Sequence, residues 1–198
     1  MGMSQYFDND KNIKSERKLI NFSFNDKNFS LYTDNGVFSK DKLDYGTRIL
    51  LENIDINNLK GRVLDLGCGI GVVGIILGTL NKNISIDMVD INERAIILTK
   101  DNVKFNNINN NVFVSNVYSN INGKYNYIIT NPPIRAGKEV VRKFLLGGYD
   151  YLTDDGILYF VIRKDQGALS IKKILEETKK VEIINRDKGY FIIKAKNQ

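Results

Sequence analysis

Both prolines of this 198-residue chain stand side by side, directly after an asparagine: Asn131-Pro132-Pro133-Ile134 follows the apolar run YNYIIT. Proline has no backbone N–H to give a sheet ladder, and it restricts the residue before it to extended backbone. The end of an apolar strand is therefore held stiff and aimed in one direction. A second group of residues with chemical potential lies upstream, in DLGCGIGVVG over positions 65–74. Glycines between a strand and a helix permit a tight turn and bring backbone N–H groups close to a ligand. Gly69, Gly71 and Gly74 even form a G-x-G-x-x-G, the spacing used for dinucleotides, but that signal is weak taken alone. Asp65 precedes the first glycine, Gly67, and a carboxylate aimed into the loop repels a pyrophosphate while suiting a cationic group. The plainer reading of Asp65 is a carboxylate that caps the next helix or braces the loop. Asp90, in VDIN, is an acceptor-only group at the end of the next apolar run, and its plainer reading is a strand-end turn residue.

What the chain lacks narrows the chemistry. Histidine is absent and Cys68 is the single cysteine. That removes imidazole general acid–base catalysis, Ser-His-Asp triads and histidine metal sites, and it makes a zinc site an unsuitable reading. No metal is expected. No partner base for Cys68 is visible, so its thiol reads as a small buried filler rather than a nucleophile. Catalysis must then rest on positioning, electrostatics or carboxylates. A lone cysteine permits no intramolecular disulfide and points to a reducing, cytoplasmic setting. The N-terminus carries no apolar leader segment, and no apolar stretch reaches the roughly 18 residues that cross a bilayer, so no membrane partner is expected.

These residues need a scaffold. After residue 60 strands and helices alternate: RVLDL, then a helix over GVVGIILGTL; ISIDMVD, then a helix over NERAIILTKDNVKF with Asn92 as its N-cap; NVFVSN; YNYIITN; a helix through KEVVRKFLLGGYDYL, weakened by its glycine pair; GILYFVI; and a helix over ALSIKKILEETK. Such alternation argues for an α/β fold, an open parallel sheet with helices on both faces. KVEIIN and GYFIIKA close the chain across a short Arg-Asp-Lys turn, too short for a crossover, so they form an antiparallel hairpin. In such sheets ligands sit beyond the carboxyl ends of the strands, near the switch in strand order, so the Asn-Pro-Pro turn and the glycine loop should face one crevice. Before residue 60, KLINFSF and NFSLYT flank Asn25-Asp26-Lys27 as a hairpin, and LDYGTRILLENI reads as a helix. The expected organisation is a polar arm over 1–17, a hairpin-and-helix extension over 18–60 and one ligand-binding domain over 61–198.

The stretch from residue 61 to 195 resembles class I S-adenosylmethionine-dependent methyltransferases, on Asp65-x-Gly67-x-Gly69-x-Gly71, on Asp90 and on the order of elements. The resemblance implies a Rossmann-like fold with a seven-stranded sheet, mostly parallel, whose last strand is antiparallel. It implies S-adenosylmethionine as the cofactor: the loop, Cys68 included, around its methionine part, Asp65 near its ammonium, Asp90 accepting from both ribose hydroxyls, and Ile91 against the adenine. Asn116, with Val117 beside it, takes the place where the family often has an aspartate for the adenine amino group; its amide oxygen still accepts but carries no charge. Asn131-Pro132-Pro133-Ile134 resembles the N-P-P-[YFI] motif of methyltransferases acting on planar amino groups, where the asparagine oxygen and the first proline's carbonyl accept from the target amine. The chemistry needs such acceptors, because an exocyclic amine has its lone pair delocalised into the ring. Two fixed oxygens favour a pyramidal nitrogen and stabilise its developing positive charge, and no general base is needed before attack. Ile134 offers an apolar platform where an aromatic is usual for adenine or a glutamine amide.

Over roughly 18–195, GVFS at 36–39 and Asn131 to Lys138 resemble the small-domain methyltransferases of the 16S ribosomal RNA guanine-N2 type in a short, single-domain form. That resemblance also places Phe38 near the cofactor, with core packing as its plain alternative. A net charge of +6 suits either solubility or a nucleic-acid partner. Arg135 and Lys138 follow the turn directly and Arg163 and Lys164 end a strand, so all four are candidate RNA phosphate contacts, or a solvated face. The expectation is methyl transfer to guanine N2 in ribosomal RNA, free or in the small-subunit particle, on a base that is unpaired or extruded. Adenine N6, a protein glutamine amide, a non-catalytic cofactor-binding RNA module and a nicotinamide oxidoreductase are the rival readings.

Overall fold

The structure, a computed structural model, describes residues 14–37 and 42–198. It opens with an antiparallel hairpin, β1 (Lys18–Phe24) and β2 (Lys27–Thr33). Asn25 and Asp26 make its turn at φ +46° and +57°, the left-handed pair that two-residue hairpins require. Alternate residues Phe29, Leu31 and Thr33 are buried, which gives the hairpin one inner face. Helix α1 (Tyr45–Glu52) follows, started by Asp44, whose carboxylate accepts from Thr47 N at 2.9 Å.

Seven further strands form one sheet: β3 (Gly61–Leu66), β4 (Ile84–Asp90), β5 (Asn111–Val114), β6 (Tyr125–Thr130), β7 (Leu152–Arg163), β8 (Lys179–Asp187) and β9 (Tyr190–Asn197). Their order is β5-β4-β3-β6-β7-β9-β8. Pairing is parallel from β5 to β7. The last strand, β9, runs antiparallel to both neighbours. Helices α2 (Val72–Leu80), α3 (Glu93–Phe105), α4 (Lys138–Leu146) and α5 (Ala168–Glu176) complete the layers. Strand side chains alternate between two cores. Val63 joins one with α1, α2, α3 and the hairpin, and Leu64 and Leu66 join the other with α4 and α5. The fold is thus a Rossmann-like α/β sheet with helices on both faces and an N-terminal hairpin.

Chain order runs outward from β3 to β5, then jumps back across β3 to β6. The switch point therefore lies between the ends of β3 and β6. There the Thr130 hydroxyl donates to the Leu66 carbonyl at 2.8 Å, and both residues are buried. That bond fixes the start of the glycine loop against the start of the Asn-Pro-Pro turn.

Some boundaries differ from the sequence expectation. β5 stops at Val114, and Asn116 lies in the loop beyond it. The helix after the Pro-Pro turn ends at Leu146, and a 3-10 turn spans Gly147–Tyr151. β7 begins at Leu152, ahead of GILYFVI. The closing hairpin turns at Lys188 and Gly189, with φ +44° and +81°, and Arg186 and Asp187 belong to β8. Glycine at the left-handed position decides where that turn falls.

Candidate active site

A cavity of about 660 Å³ opens at the switch point. The loop after β3, the ends of β4 and β5, the turn after β6 and the near faces of α1 and α4 line it. Its volume is that of a small-molecule site.

The glycine loop has a definite wiring. Gly67 N and Cys68 N both donate to the Val89 carbonyl, at 2.8 and 2.9 Å. Gly69 N donates to Asp90 Oδ2 at 2.9 Å, and Gly71 N to the Cys68 carbonyl at 2.8 Å. These N–H groups are spent inside the protein, so they form no phosphate nest. Two carboxylates beside them make the loop still less suited to a pyrophosphate, which disfavours the dinucleotide reading. Gly69 sits at φ +55°, and a Cβ there would meet nothing within 4 Å, so the loop leaves open space on that side. Gly71 is different. It lies off the cavity wall, at φ +91°, where a Cβ would come within 2.8 Å of Thr99 Cγ2. Its place in the structure is close packing at the start of α2.

Asp65 is only 2% exposed and reaches the cavity wall from the end of β3. Its Oδ2 accepts from Gly74 N at 2.9 Å. Gly71 supplies no side-chain cap to α2, so Asp65 caps that helix from outside it. Burial, with the nearby charge of Asp90, pushes the Asp65 carboxyl up to about 7, against the pull of the Gly74 bond. Among the described residues no ion pair reaches it. Asp90 accepts from Asn92 N with Oδ1 at 2.9 Å and from Gly69 N with Oδ2, and burial raises its carboxyl as well. The Ile91 backbone N–H also favours its ionised form, and the carboxylate still keeps a lone pair for a ligand hydroxyl.

The other cofactor candidates divide clearly. Gly67, Cys68, Ile91, Asn116 and Val117 all line the cavity. Burial holds the Cys68 thiol well above its usual value. Val117 stands at φ +53°, an uncommon backbone state for a β-branched residue. The Ser115 hydroxyl, which donates to the Val117 carbonyl at 2.9 Å, braces it. Phe38 lies outside the described residues.

Asn131, Pro132, Pro133 and Ile134 all line the cavity, with Pro132 buried. Pro133 starts a 3-10 turn over Ile134–Ala136, closed by Ala136 N on the Pro133 carbonyl at 3.0 Å. Asn131 Nδ2 donates to Asp44 Oδ2 and to Thr47 Oγ1, each at 3.0 Å. Asp44 and Thr47 were missed by sequence reasoning as site residues. Their visible signal was that of a helix cap, and nothing in the linear order ties that cap to a turn 87 residues away. Phe144 and Lys143 of α4 also reach the wall.

The four basic candidates do not behave alike. Arg135 lines the cavity. Lys138 is exposed on the first turn of α4, off the wall. Arg163 is exposed, pairs with Asp165 at 3.1 Å and lies over the Tyr190 ring at 5.5 Å. Lys164 is exposed in the 3-10 turn beyond β7. Among the described residues no group of three or more potential metal ligands exists, and no helix is long and apolar enough to cross a membrane.

The fold and this site define an S-adenosylmethionine-dependent methyltransferase of class I. The family model for the methyltransferase small domain matches residues 28–194, and the chain belongs to that family. It is 39% identical over 199 residues to the uncharacterized protein YbxB of Bacillus subtilis, covering 98% of this chain and 99% of that one. It is 43% identical over 115 residues to the ribosomal RNA small subunit methyltransferase C of Photorhabdus laumondii, covering 58% of this chain and 34% of that one. The Aeromonas hydrophila protein of the same name is 34% identical over 166 residues, covering 81% and 47%. The chain thus spans a third to a half of the length of these two methyltransferases. Among solved structures, the T. thermophilus 16S rRNA N2 G1207 methyltransferase, in complex with AdoMet and guanosine, superposes with a TM-score of 0.84. Identity is 20%, and the match covers 94% of this chain and 52% of that one.

Proposed function

We propose that this protein transfers a methyl group from S-adenosylmethionine to an exocyclic amine of a nucleobase, N2 of a guanine in small-subunit ribosomal RNA. The single observation that carries the reading is the convergence on one cavity of the Asn131-Pro132 turn and of the Asp65 and Asp90 carboxylates. The relatives named for ribosomal RNA small-subunit methylation support the acceptor, as does the net charge of +6.

The residues present fit the cofactor. Asp65 is a buried carboxylate without an ion pair among the described residues, suited to a cationic group. Asp90 is an acceptor-only group on the same wall, suited to ligand hydroxyls, and Asn116 and Ile91 also line the cavity. When bound, S-adenosylmethionine supplies a methyl group on a positively charged sulfur. The Asn131 side-chain oxygen and the Pro132 carbonyl hold the two hydrogens of the amine. They fix its nitrogen for in-line attack and stabilise the positive charge it acquires, until the methylated nitrogen gives up one proton to water. The stiff turn keeps both acceptors in place. Ile134 covers the base with an apolar surface. Arg135, at the mouth, contacts the RNA backbone. The protein acts in the cytoplasm, where that RNA is made.

The deciding experiment incubates the protein with labelled S-adenosylmethionine and small-subunit RNA, free and as the assembled particle, followed by nucleoside mass analysis. N2-methylguanosine is the expected product. Label in N6-methyladenosine or in protein would move the acceptor, and no label in any would overturn the reading.

A further inference from the structure

We propose that Asp44 and Thr47 are positioning residues for Asn131, which take both hydrogens of its amide and so present its oxygen to the amine being methylated. The proposal deepens the function proposed above and rests on it for the identity of the amine.

A primary amide is nearly symmetric in shape. A half-turn about its last torsion exchanges oxygen for nitrogen at almost no steric cost. In one state Asn131 offers an acceptor to the incoming amine. In the other it offers N–H to N–H, which repels. The chemistry therefore depends on what holds the far side of the amide. There the structure places two partners, Asp44 Oδ2 and Thr47 Oγ1, both 3.0 Å from Asn131 Nδ2. An ionised carboxylate has no hydrogen to give. The Thr47 hydroxyl lies 3.3 Å from the same Asp44 oxygen, which takes its hydrogen and leaves it an acceptor toward Asn131. Both partners are thus locked as acceptors. A flipped amide would set its oxygen against a carboxylate at 3.0 Å.

The lock is itself rigid. Asp44 Oδ2 also accepts from Thr47 N at 2.9 Å, as the cap of α1. The first turn of α1 is anchored in turn by the Tyr45 hydroxyl bonded to Asp187 and by the Tyr45 ring against Tyr190 at 5.7 Å. The carboxylate has a second effect. A charged acceptor on the amide N–H draws electron density toward the amide oxygen, because hydrogen bonds in a chain polarise one another. That strengthens Asn131 as an acceptor where positive charge develops.

The test has two arms. The first uses no substrate: solvent exchange of the Asn131 side-chain amide protons by NMR, in the full-length protein. They are expected to be protected in the wild type and to exchange at least tenfold faster in Thr47→Val and Asp44→Asn. The second arm is kinetic. Thr47→Val keeps shape and loses the acceptor; Asp44→Asn keeps the helix cap, since asparagine caps as well as aspartate, and can satisfy a flipped amide. Both should lower kcat about tenfold or more with KM for RNA and the affinity for S-adenosylmethionine within twofold. Thr47→Ser should restore turnover. In an Asn131→Ala background Thr47→Val should cost nothing further. Unprotected Asn131 protons in the wild type, wild-type turnover in Thr47→Val, or an equal loss in the Asn131→Ala background would each overturn the proposal. If the wild-type protein methylates no RNA, the acceptor reading fails, and the exchange arm still decides the geometry.

Discussion

At the scale of single residues, the proposed function makes opposite demands on two kinds of oxygen. Under it, Asn131 must stay neutral and fixed, and Asp65 must become charged when a cation arrives. Replacing Asn131 with alanine removes one of two acceptors from the amine and leaves the walls around Asp65 and Asp90 intact. Turnover should fall about 10²- to 10³-fold, the range for loss of one preorganised partner of developing charge, with cofactor affinity within a few-fold by calorimetry. A variant that turns over at the wild-type rate would take Asn131 out of the chemistry. Asp65 makes a pH prediction. Its carboxyl is raised from 3.8 to about 7 in the protein alone. The folded state therefore binds a proton that the unfolded chain has released, and Asp65 costs stability progressively as pH rises from about 4 to about 7. A cationic ligand favours the ionised form and reverses that cost. Affinity for S-adenosylmethionine should rise by up to about tenfold per pH unit below 7 and level off above it, with proton release on binding at pH 6. Asp90, also raised, acts in the same direction. Asp65→Asn keeps an acceptor for Gly74 N and should flatten the profile. An affinity independent of pH in the wild type would remove the cation from beside Asp65.

At the scale of elements, the question is what keeps the hairpin and α1 on the sheet closely enough to support a site. Asn102 of α3 is 0% exposed and is fully used. Its Oδ1 accepts from Tyr32 N at 2.6 Å, and its Nδ2 donates to the carbonyls of Tyr32 and Ile70, each at 2.9 Å. One side chain ties β2 to α3 and to the glycine loop. Asn102→Ala leaves buried backbone groups unpaired and should cost about 3 kcal/mol, a fall in Tm of about 6 to 12 °C for a chain of this size. An unchanged Tm in thermal unfolding followed by circular dichroism would contradict this. The elements themselves were readable where a rule acts locally. Asn25-Asp26 tolerates the left-handed turn, and Asn92 caps α3 by accepting from Arg94 N and Ala95 N. Reading failed where a distant partner decides. The helix after Pro133 stops at Gly147 beside Tyr118, whose ring lies 3.1 Å from where a Cβ of Gly147 would sit. A side chain at 147 would make that ring give by a few tenths of an ångström; the glycine pair marked the weak point, and no sequence period reveals the ring beside it. β5 ends early because its one partner, β4, stops at Asp90, the residue paired with Val114.

At the scale of the whole molecule, the sheet order places the linear motifs on one wall, and that much was legible, because a switch point can be inferred from the alternation of strands and helices. Asp44 and Thr47 were not legible as wall residues. They arrive only when α1 folds back to pack against β7 and β9, and their sequence signal is exhausted by capping. The distribution of charge yields the last prediction. The chain carries 29 Lys and Arg against 23 Asp and Glu, yet a surplus of this size is common in soluble proteins and does not itself locate a partner. Position does. Arg135 is exposed and lines the cavity, as does Lys143 of α4, whereas Lys60 is exposed at the opposite, amino end of β3. A backbone contact releases counterions, so its removal changes the salt dependence of binding as well as the affinity. Binding to small-subunit RNA, measured by fluorescence anisotropy across a salt series, should weaken linearly on logarithmic axes. Arg135→Ala should reduce the steepness by about 0.7 to 1, the share of one phosphate, and Lys60→Ala should leave it unchanged. Equal slopes for wild type and Arg135→Ala would place the RNA on another face, and an equal loss for Lys60→Ala would mean that net charge alone, and not the cavity mouth, attracts it.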